Sequence, residues 1–223
     1  MKDRSVVRAH DDEASEYDRQ VRQYEYYVHD VLFGMCFEYV HANDRLLDIG
    51  IGTGLASLPF ARLGLEIYGF DASAKMLNIC KAKSFAKELK TFDLRDTPYP
   101  CSEGFFNHVI SVGVFHFFGE LKDVVHEVSR VMKPGGVFAF TVAAESLSQD
   151  ETMNKAPRDY SKVPTSWGEA IFAHSDAYLT KVLEDSGFAK LKMQKVLIRG
   201  GDKDCDDLLF KVYVARRVET PST

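Results

Sequence analysis

Apolar residues recur along this chain in two rhythms. From about Ser15 to Val40 they follow helical spacing, with Val21, Val28, Val31, Leu32 and Met35 able to share one face. The polar stretch 41–44 interrupts that pattern, and a short apolar run, 45–49, reads as a first strand. A helix is predicted after Gly54, carrying Leu55, Leu58 and Ala61 inward and stopping near Gly64. A second strand follows at 65–70 and ends at Asp71, with Ser73 placed to cap the next helix. Further strands are expected near 89–92, ending at Asp93, at 108–112 and at 137–142. A helix over 121–132 leads into Lys133-Pro134-Gly135-Gly136, where proline and two glycines bar its continuation.

Strands alternating with helices imply right-handed crossovers and an α/β fold, a parallel sheet with helices on both faces. The tail departs from this rule. Ser175 can cap a helix running to Glu184 and ending at Gly187. Two strand-like runs, 191–198 and 208–215, then flank Gly200-Gly201-Asp202 as a terminal antiparallel hairpin. Residues 144–173 break the regularity: they are polar, hold Pro157 and Pro164, and contain the only tryptophan, Trp167. A loop of that length in a compact domain is functional or mobile. Residues 1–15 are polar and expected to be flexible, and no internal repeat or second domain is visible.

Composition narrows the class. At 223 residues one domain with a proper core is the default, and 45% hydrophobic with 27% charged residues fits a globular protein. The formal charge of −5, with no basic block, argues against a nucleic-acid partner. No apolar run approaches membrane-spanning length, and the charged start does not read as a signal peptide. Cys36, Cys80, Cys101 and Cys205 lack metal-ligand or disulfide-framework spacing, so the expectation is reduced thiols, no metal and a cytoplasmic setting.

The most specific signal is residues 46–54, LLDIGIGTG. Gly50, Gly52 and Gly54 allow close backbone approach to a ligand at a strand-to-helix turn. Asp71, twenty-one residues beyond Gly50, is placed to accept from the two hydroxyls of a ribose. The dinucleotide fingerprint is not met, because its sixth position is Leu55. Asp48 would moreover repel a pyrophosphate, whereas it suits a cationic ligand.

On these residues the chain resembles the class I S-adenosylmethionine-dependent methyltransferases, whose first motif is an acidic residue followed by G-x-G-x-G. The resemblance extends over about residues 17–216 and implies a Rossmann-like, doubly wound, mostly parallel seven-stranded sheet with the hairpin at its end. It also implies S-adenosylmethionine as cofactor and S-adenosylhomocysteine as product. By the same resemblance Gly50, Gly52 and Gly54 flank the amino acid part, and Asp48 balances its positive charge. Asp71 holds the ribose, and Ala72 and Met76 lie against the adenine. Asp93 accepts from the adenine amino group while the Leu94 amide donates to a ring nitrogen. Ser111 and Val112 end the fourth strand beside the site, and Tyr17 resembles a tyrosine that closes over the cofactor, with Tyr26 a second such residue. Val114-Phe115-His116-Phe117 matches the aliphatic-x-His signature near the methyl group. Asn107 stands where the family commonly has aspartate, which puts any carboxylate role there in doubt.

Methyl transfer is an in-line displacement that needs alignment first and a base only for a protonated, weakly acidic acceptor. His116 and His174 are the candidate bases, since imidazole titrates near neutrality, with Glu145 behind them. The Asn/Asp-Pro-Pro-aromatic motif of amino-methylating nucleic-acid enzymes is replaced by Ser111-Val112-Gly113-Val114. Pro100-Cys101 precedes the fourth strand and reads as loop. A small-molecule acceptor is therefore expected, covered by an N-terminal helical cap over 16–41 and by the 144–173 insertion. Tyr160, Trp167 and Phe172 hint at a partly apolar pocket. A non-catalytic module that binds the cofactor or its demethylated product is the alternative.

Overall fold

The computed structural model describes residues 14–144, 159–164, 170–198 and 208–218. Two short helices, α1 (Tyr17–Gln23) and α2 (Val28–Cys36), precede β1 (Arg45–Ile49). Then come α3 (Leu58–Arg62), β2 (Glu66–Asp71), α4 (Ala74–Ala82), β3 (Ala86–Thr91) and β4 (Phe106–Ser111). α5 (Lys122–Val131) leads into the long β5 (Met132–Ala143). The chain ends with β6 (Tyr160–Pro164), β7 (Ala170–His174), α6 (Asp176–Asp185), β8 (Phe188–Ile198) and β9 (Leu208–Arg217).

β1 through β5 pair in parallel in the order β3-β2-β1-β4-β5, and β9 continues the sheet antiparallel to β5 with β8 beyond it. This is the seven-stranded, doubly wound sheet that was expected. β6 and β7 add a hairpin inside the stretch read as loop, and β7 reaches the sheet only where Ala173 pairs Ala143. β9 also pairs that end of β5, Ala143 with Phe210, so β7 lies on the β4 side, past the end of β4 at Ser111. The hairpin thus stands next to the carboxyl ends of the parallel strands.

Period-two alternation divides the core. Leu47, Val109, Phe138, Phe140 and Tyr213 face α5 and α6, where Val124, Val125, Val128 and Val131 form a helical stripe. Leu46, Ile67, Ile110, Ala139 and Val212 face α2, α3 and α4 through Val28, Leu32, Phe60 and Leu77. Ser73 and Ser175 cap their helices as expected, accepting from the amides of Met76 and Tyr178 at 3.1 Å.

Three local expectations need correction. The helix over 15–40 is broken: Glu25 takes a left-handed φ of 50°, which turns Tyr26 inward onto Phe210 at a ring distance of 6.1 Å. β3 begins and ends earlier than its apolar run, leaving Phe92 and Asp93 in the following loop. Lys133-Pro134-Gly135-Gly136 is a bulge within β5 rather than a turn before it. Register jumps from Met132–Phe106 to Val137–His108, and a methyl on Gly136 would lie 2.0 Å from the Asn107 carbonyl oxygen. Residues 1–13, Glu145, Pro157, Trp167 and the Gly200-Gly201-Asp202 segment lie outside the described residues.

Candidate active site

In an open parallel sheet, ligands bind beyond the carboxyl ends of the strands where the strand order reverses, here between β1 and β4. The glycine turn follows β1 at this point. Gly50 and Ile51 donate to the Phe70 carbonyl at 2.8 and 2.9 Å, which fastens the turn to β2. α3 starts only at Leu58, so the turn's own backbone, not a helix end, fronts the crevice.

The three glycines do different work. A methyl on Gly50 would lie 2.3 Å from Val114 Cγ2, and one on Gly54 would lie 2.5 Å from Phe85 Cζ. Both positions are close-packed against protein. Gly52, at φ 54°, would present its methyl to nothing within 4 Å, so it alone of the three borders open space.

Two carboxylates stand near the ends of the strands on either side of this turn. Asp48 is 1% exposed; its Oδ2 accepts from Ser57 Oγ at 2.6 Å, while its buried Oδ1 has no hydrogen-bond partner. Burial lifts this carboxyl to a pKa of about 7, against the opposing Ser57 hydrogen bond and with help from the Asp71 charge. Asp71 is half-buried, its Oδ2 accepting from the Gly52 amide and its Oδ1 from the Ser73 amide, both at 2.8 Å. A buried carboxylate oxygen with spare lone pairs beside an uncovered glycine is a fit cradle for a ligand bringing N–H donors and positive charge.

The remaining cofactor candidates fall around this pair. Ala72 is half-buried, and Met76 is 3% exposed yet belongs to neither core cluster. The Phe92 amide donates to the Asp71 carbonyl at 2.9 Å, bringing the loop with Asp93 and Leu94 alongside. Asp93 Oδ1 accepts from Arg95 Nε at 2.8 Å and Oδ2 from its terminal nitrogen at 2.7 Å. Any ligand contact there uses its remaining lone pairs. Leu94 packs into the core, and the Ser111 hydroxyl donates to the Ile49 carbonyl at 2.8 Å, stitching β4 to β1, with Val112 half-buried after it. Asn107 is at the opposite end of β4, where its Oδ1 accepts from the Arg45 amide and Lys133 Nζ. The missing aspartate therefore bears on sheet construction, not on this crevice.

The N-terminal helix reaches the turn. Tyr17 is half-buried, its phenol pushed up to about 12 by burial and by the charges of Asp71, Asp18 and Asp48. Its neighbour Asp18 accepts from Thr53 Oγ1 and from Lys83 Nζ, each at 2.5 Å. Sequence reading missed Asp18 and Lys83, because a carboxylate thirty-five residues from its partner leaves no local pattern.

Beyond β4 the lining turns aromatic. Tyr26 Oη lies 3.6 Å from where a Gly113 methyl would stand, and its ring meets His29 edge-on at 5.1 Å. His116, 8% exposed, packs on Phe117 at 4.1 Å and on Phe210 at 5.4 Å. His174 is elsewhere: fully buried, it hydrogen-bonds the Gly119 carbonyl through Nε2 at 3.0 Å and stacks on Tyr178. Tyr160 joins that second cluster and carries Phe172 with it. Burial pushes the Cys101 thiol up, which disfavours its thiolate.

A carboxyl-edge crevice with a glycine turn, an acidic strand end on each side and a switch in strand order defines a Rossmann-like nucleoside-cofactor protein. Comparison with known proteins sharpens this. Residues 47–140 match the family model described as "Methyltransferase domain". A malonyl-[acyl-carrier protein] O-methyltransferase of Enterobacter lignolyticus (strain SCF1) is 30% identical over 149 residues, covering 66% of this chain and 54% of the relative. A demethylmenaquinone methyltransferase of Tropheryma whipplei (strain Twist) is 29% identical over 97 residues, 44% of this chain and 41% of its own. The chain thus spans about half the length of the curated relatives it matches. Among solved structures, the 1,6-didemethyltoxoflavin-N1-methyltransferase of Burkholderia thailandensis, with bound 1,6-didemethyltoxoflavin and S-adenosylhomocysteine, shares the fold. Its TM-score is 0.68 at 13% identity, over 97% of this chain and 87% of that one. Residues 47–140 thus carry a methyltransferase domain, on the fold that solved S-adenosylmethionine-dependent methyltransferases share.

Proposed function

We propose that this protein transfers a methyl group from S-adenosylmethionine to a small, ring-bearing acceptor. The observation that carries the reading is the buried, half-satisfied carboxylate of Asp48 in β1, ahead of a turn whose open Gly52 is held by Asp71. When bound, the cofactor supplies a methyl already activated by its sulfonium leaving group. Asp48 and the turn around Gly52 hold its amino acid end, Asp71 its ribose, and Ala72, Met76, Asp93 and Leu94 its base.

The acceptor meets the wall of Tyr26, His29, His116, Phe117 and Phe210, rings among which stands no carboxylate, lysine or arginine. Such a wall suits a flat, uncharged molecule, held by stacking and edge contacts. Alignment of the reacting atoms is the chief contribution asked of it, an effect worth roughly 7–11 kcal/mol. His116, packed beside Phe210, is the histidine assigned to take a proton, since His174 is fully buried away from it among Tyr160 and Tyr178. Free thiols at Cys36, Cys80 and Cys101 and the acidic net charge support a cytoplasmic enzyme without a nucleic-acid partner. Among the described residues no helix is long and apolar enough to cross a membrane.

The test is incubation of the purified protein with methyl-labelled cofactor and a metabolite extract fractionated by charge. The expected outcome is label in a neutral aromatic fraction, reduced in Tyr26→Ala and Phe210→Ala. Label confined to strongly anionic products overturns the acceptor class, and no labelled product despite tight cofactor binding overturns the activity.

A further inference from the structure

Asp18 sits at the meeting of three elements. From α1 it accepts from Thr53 Oγ1, within the glycine turn after β1, and from Lys83 Nζ, at the end of α4 after β2. Both contacts measure 2.5 Å, and the ion pair is shielded, each partner's side chain being 23% exposed. An exposed ion pair contributes little, but a partly buried carboxylate with two donors makes charge-assisted bonds that are shorter and stronger. Thr53 is the residue between Gly52, which borders the open space, and Gly54, which is packed on Cys80 and Phe85. The adjacent Tyr17 is half-buried and feels the charges of Asp71 and Asp48.

Among the described residues, Asp18 is the side chain of α1 that hydrogen-bonds another element. None of its residues is buried, and its N-cap makes no side-chain hydrogen bond. Seven residues are too few for a helix to persist in water without tertiary support. Among the described residues, the Asp18 contacts are the hydrogen bonds that join this helix to the turn and to α4.

We propose that Asp18 is a positioning residue for the cofactor: by joining α1 to Thr53 and Lys83 it holds Tyr17 over the crevice and slows the cofactor's release. This rests on the proposed site, and the experiment separates the two. In the full chain, dissociation of S-adenosylhomocysteine is followed by stopped flow and calorimetry, with hydrogen–deuterium exchange of amides 17–23 measured without ligand. Asp18→Ala is expected to speed exchange in α1 and raise the off-rate about tenfold, the factor that 1.4 kcal/mol represents. Its denaturation midpoint should stay near wild type. Asp18→Asn, which keeps an acceptor for Thr53 but loses the charge toward Lys83, should fall between. Thr53→Val combined with Asp18→Ala should add little, since the bond that Thr53→Val removes is already lost with Asp18.

Asp71→Ala is the control for the site itself. If Asp71→Ala weakens binding while Asp18→Ala changes neither off-rate nor α1 exchange, the positioning role is wrong and the site stands. If Asp71→Ala also binds as wild type, the site reading fails first. Should Asp18→Ala raise the off-rate only in step with a lowered denaturation midpoint, the residue is structural and the proposal is overturned.

Discussion

The carboxylate of Asp71, at the end of β2, accepts a hydrogen bond from the backbone amide of Gly52, in the turn after β1, at 2.8 Å. The two motif segments, far apart in sequence, are thereby locked in one geometry. With its other oxygen on the Ser73 amide, the side chain is oriented from both sides. Preorganisation of this kind lowers the ordering cost of binding.

Asp71→Asn tests that lock. An amide retains one acceptor but cannot serve both Gly52 and Ser73 as acceptor, and it loses the charge that strengthens bonds to ribose hydroxyls. Hydrogen bonds to charged groups contribute about 1.5–3 kcal/mol, so a loss of roughly ten- to hundredfold in S-adenosylhomocysteine affinity is expected. Calorimetry reads it directly. Affinity within twofold of wild type would remove Asp71 from the ribose site.

The glycines should separate stability from binding. Gly50→Ala and Gly54→Ala force a methyl to within 2.3 Å of Val114 and 2.5 Å of Phe85, at φ of 75° and 87°. Overpacking costs about 1–3 kcal/mol and a left-handed alanine adds about 1–2, so both variants should unfold at clearly lower urea. Gly52→Ala meets no neighbour and carries only the backbone term. It should remain the most stable of the three and yet lose cofactor binding. Equal urea midpoints for the three would refute the division.

Much of this was legible in the chain, and the reasons are local. The β1 turn announces itself because three alternate glycines behind an aspartate satisfy a steric need that few other sequences meet. β1, β2, α5 and α6 follow from apolar periods and serine caps that act within a few residues. What escaped depends on distant partners. The break at Glu25 exists because Tyr26 packs on Phe210, and the β6–β7 hairpin joins the sheet through one pair, Ala143 with Ala173. The polar β3, Ala-Lys-Glu-Leu-Lys-Thr, is an edge strand whose exposed face hides its period.

Asp48 gives the fold a pH dependence of definite sign. Its folded pKa of about 7 lies above the ordinary carboxylate value, so the native state holds a proton that the unfolded chain has released. Its contribution is therefore most favourable below about pH 4 and falls as pH rises toward 7, by at most about 1.4 kcal/mol per pH unit. Asp48→Asn should abolish this slope. The comparison is urea unfolding of both proteins without ligand between pH 5 and 8. The gap should widen with pH in favour of the variant, and a constant gap would show that Asp48 is ionised throughout.

His174 provides the contrast between a structural and a chemical histidine. It is fully buried, its Nε2 is tied to Gly119, and its ring stacks on Tyr178 at 5.8 Å. Desolvation holds its pKa below the ordinary imidazole value despite the backbone carbonyls of Gly119 and Phe118. Being neutral in the fold, it contributes its full stability above about pH 6.5 and loses it as pH falls below that value, the opposite slope to Asp48. Truncation to alanine leaves a cavity and an orphaned carbonyl, and should cost about 2–4 kcal/mol. The folded fraction of His174→Ala should keep its turnover within a few-fold, whereas His116→Ala should lower turnover with a smaller change in stability. Urea melts and single-turnover methyl transfer on the same preparations decide it. A His174→Ala protein with wild-type stability and no turnover would return the base to β7.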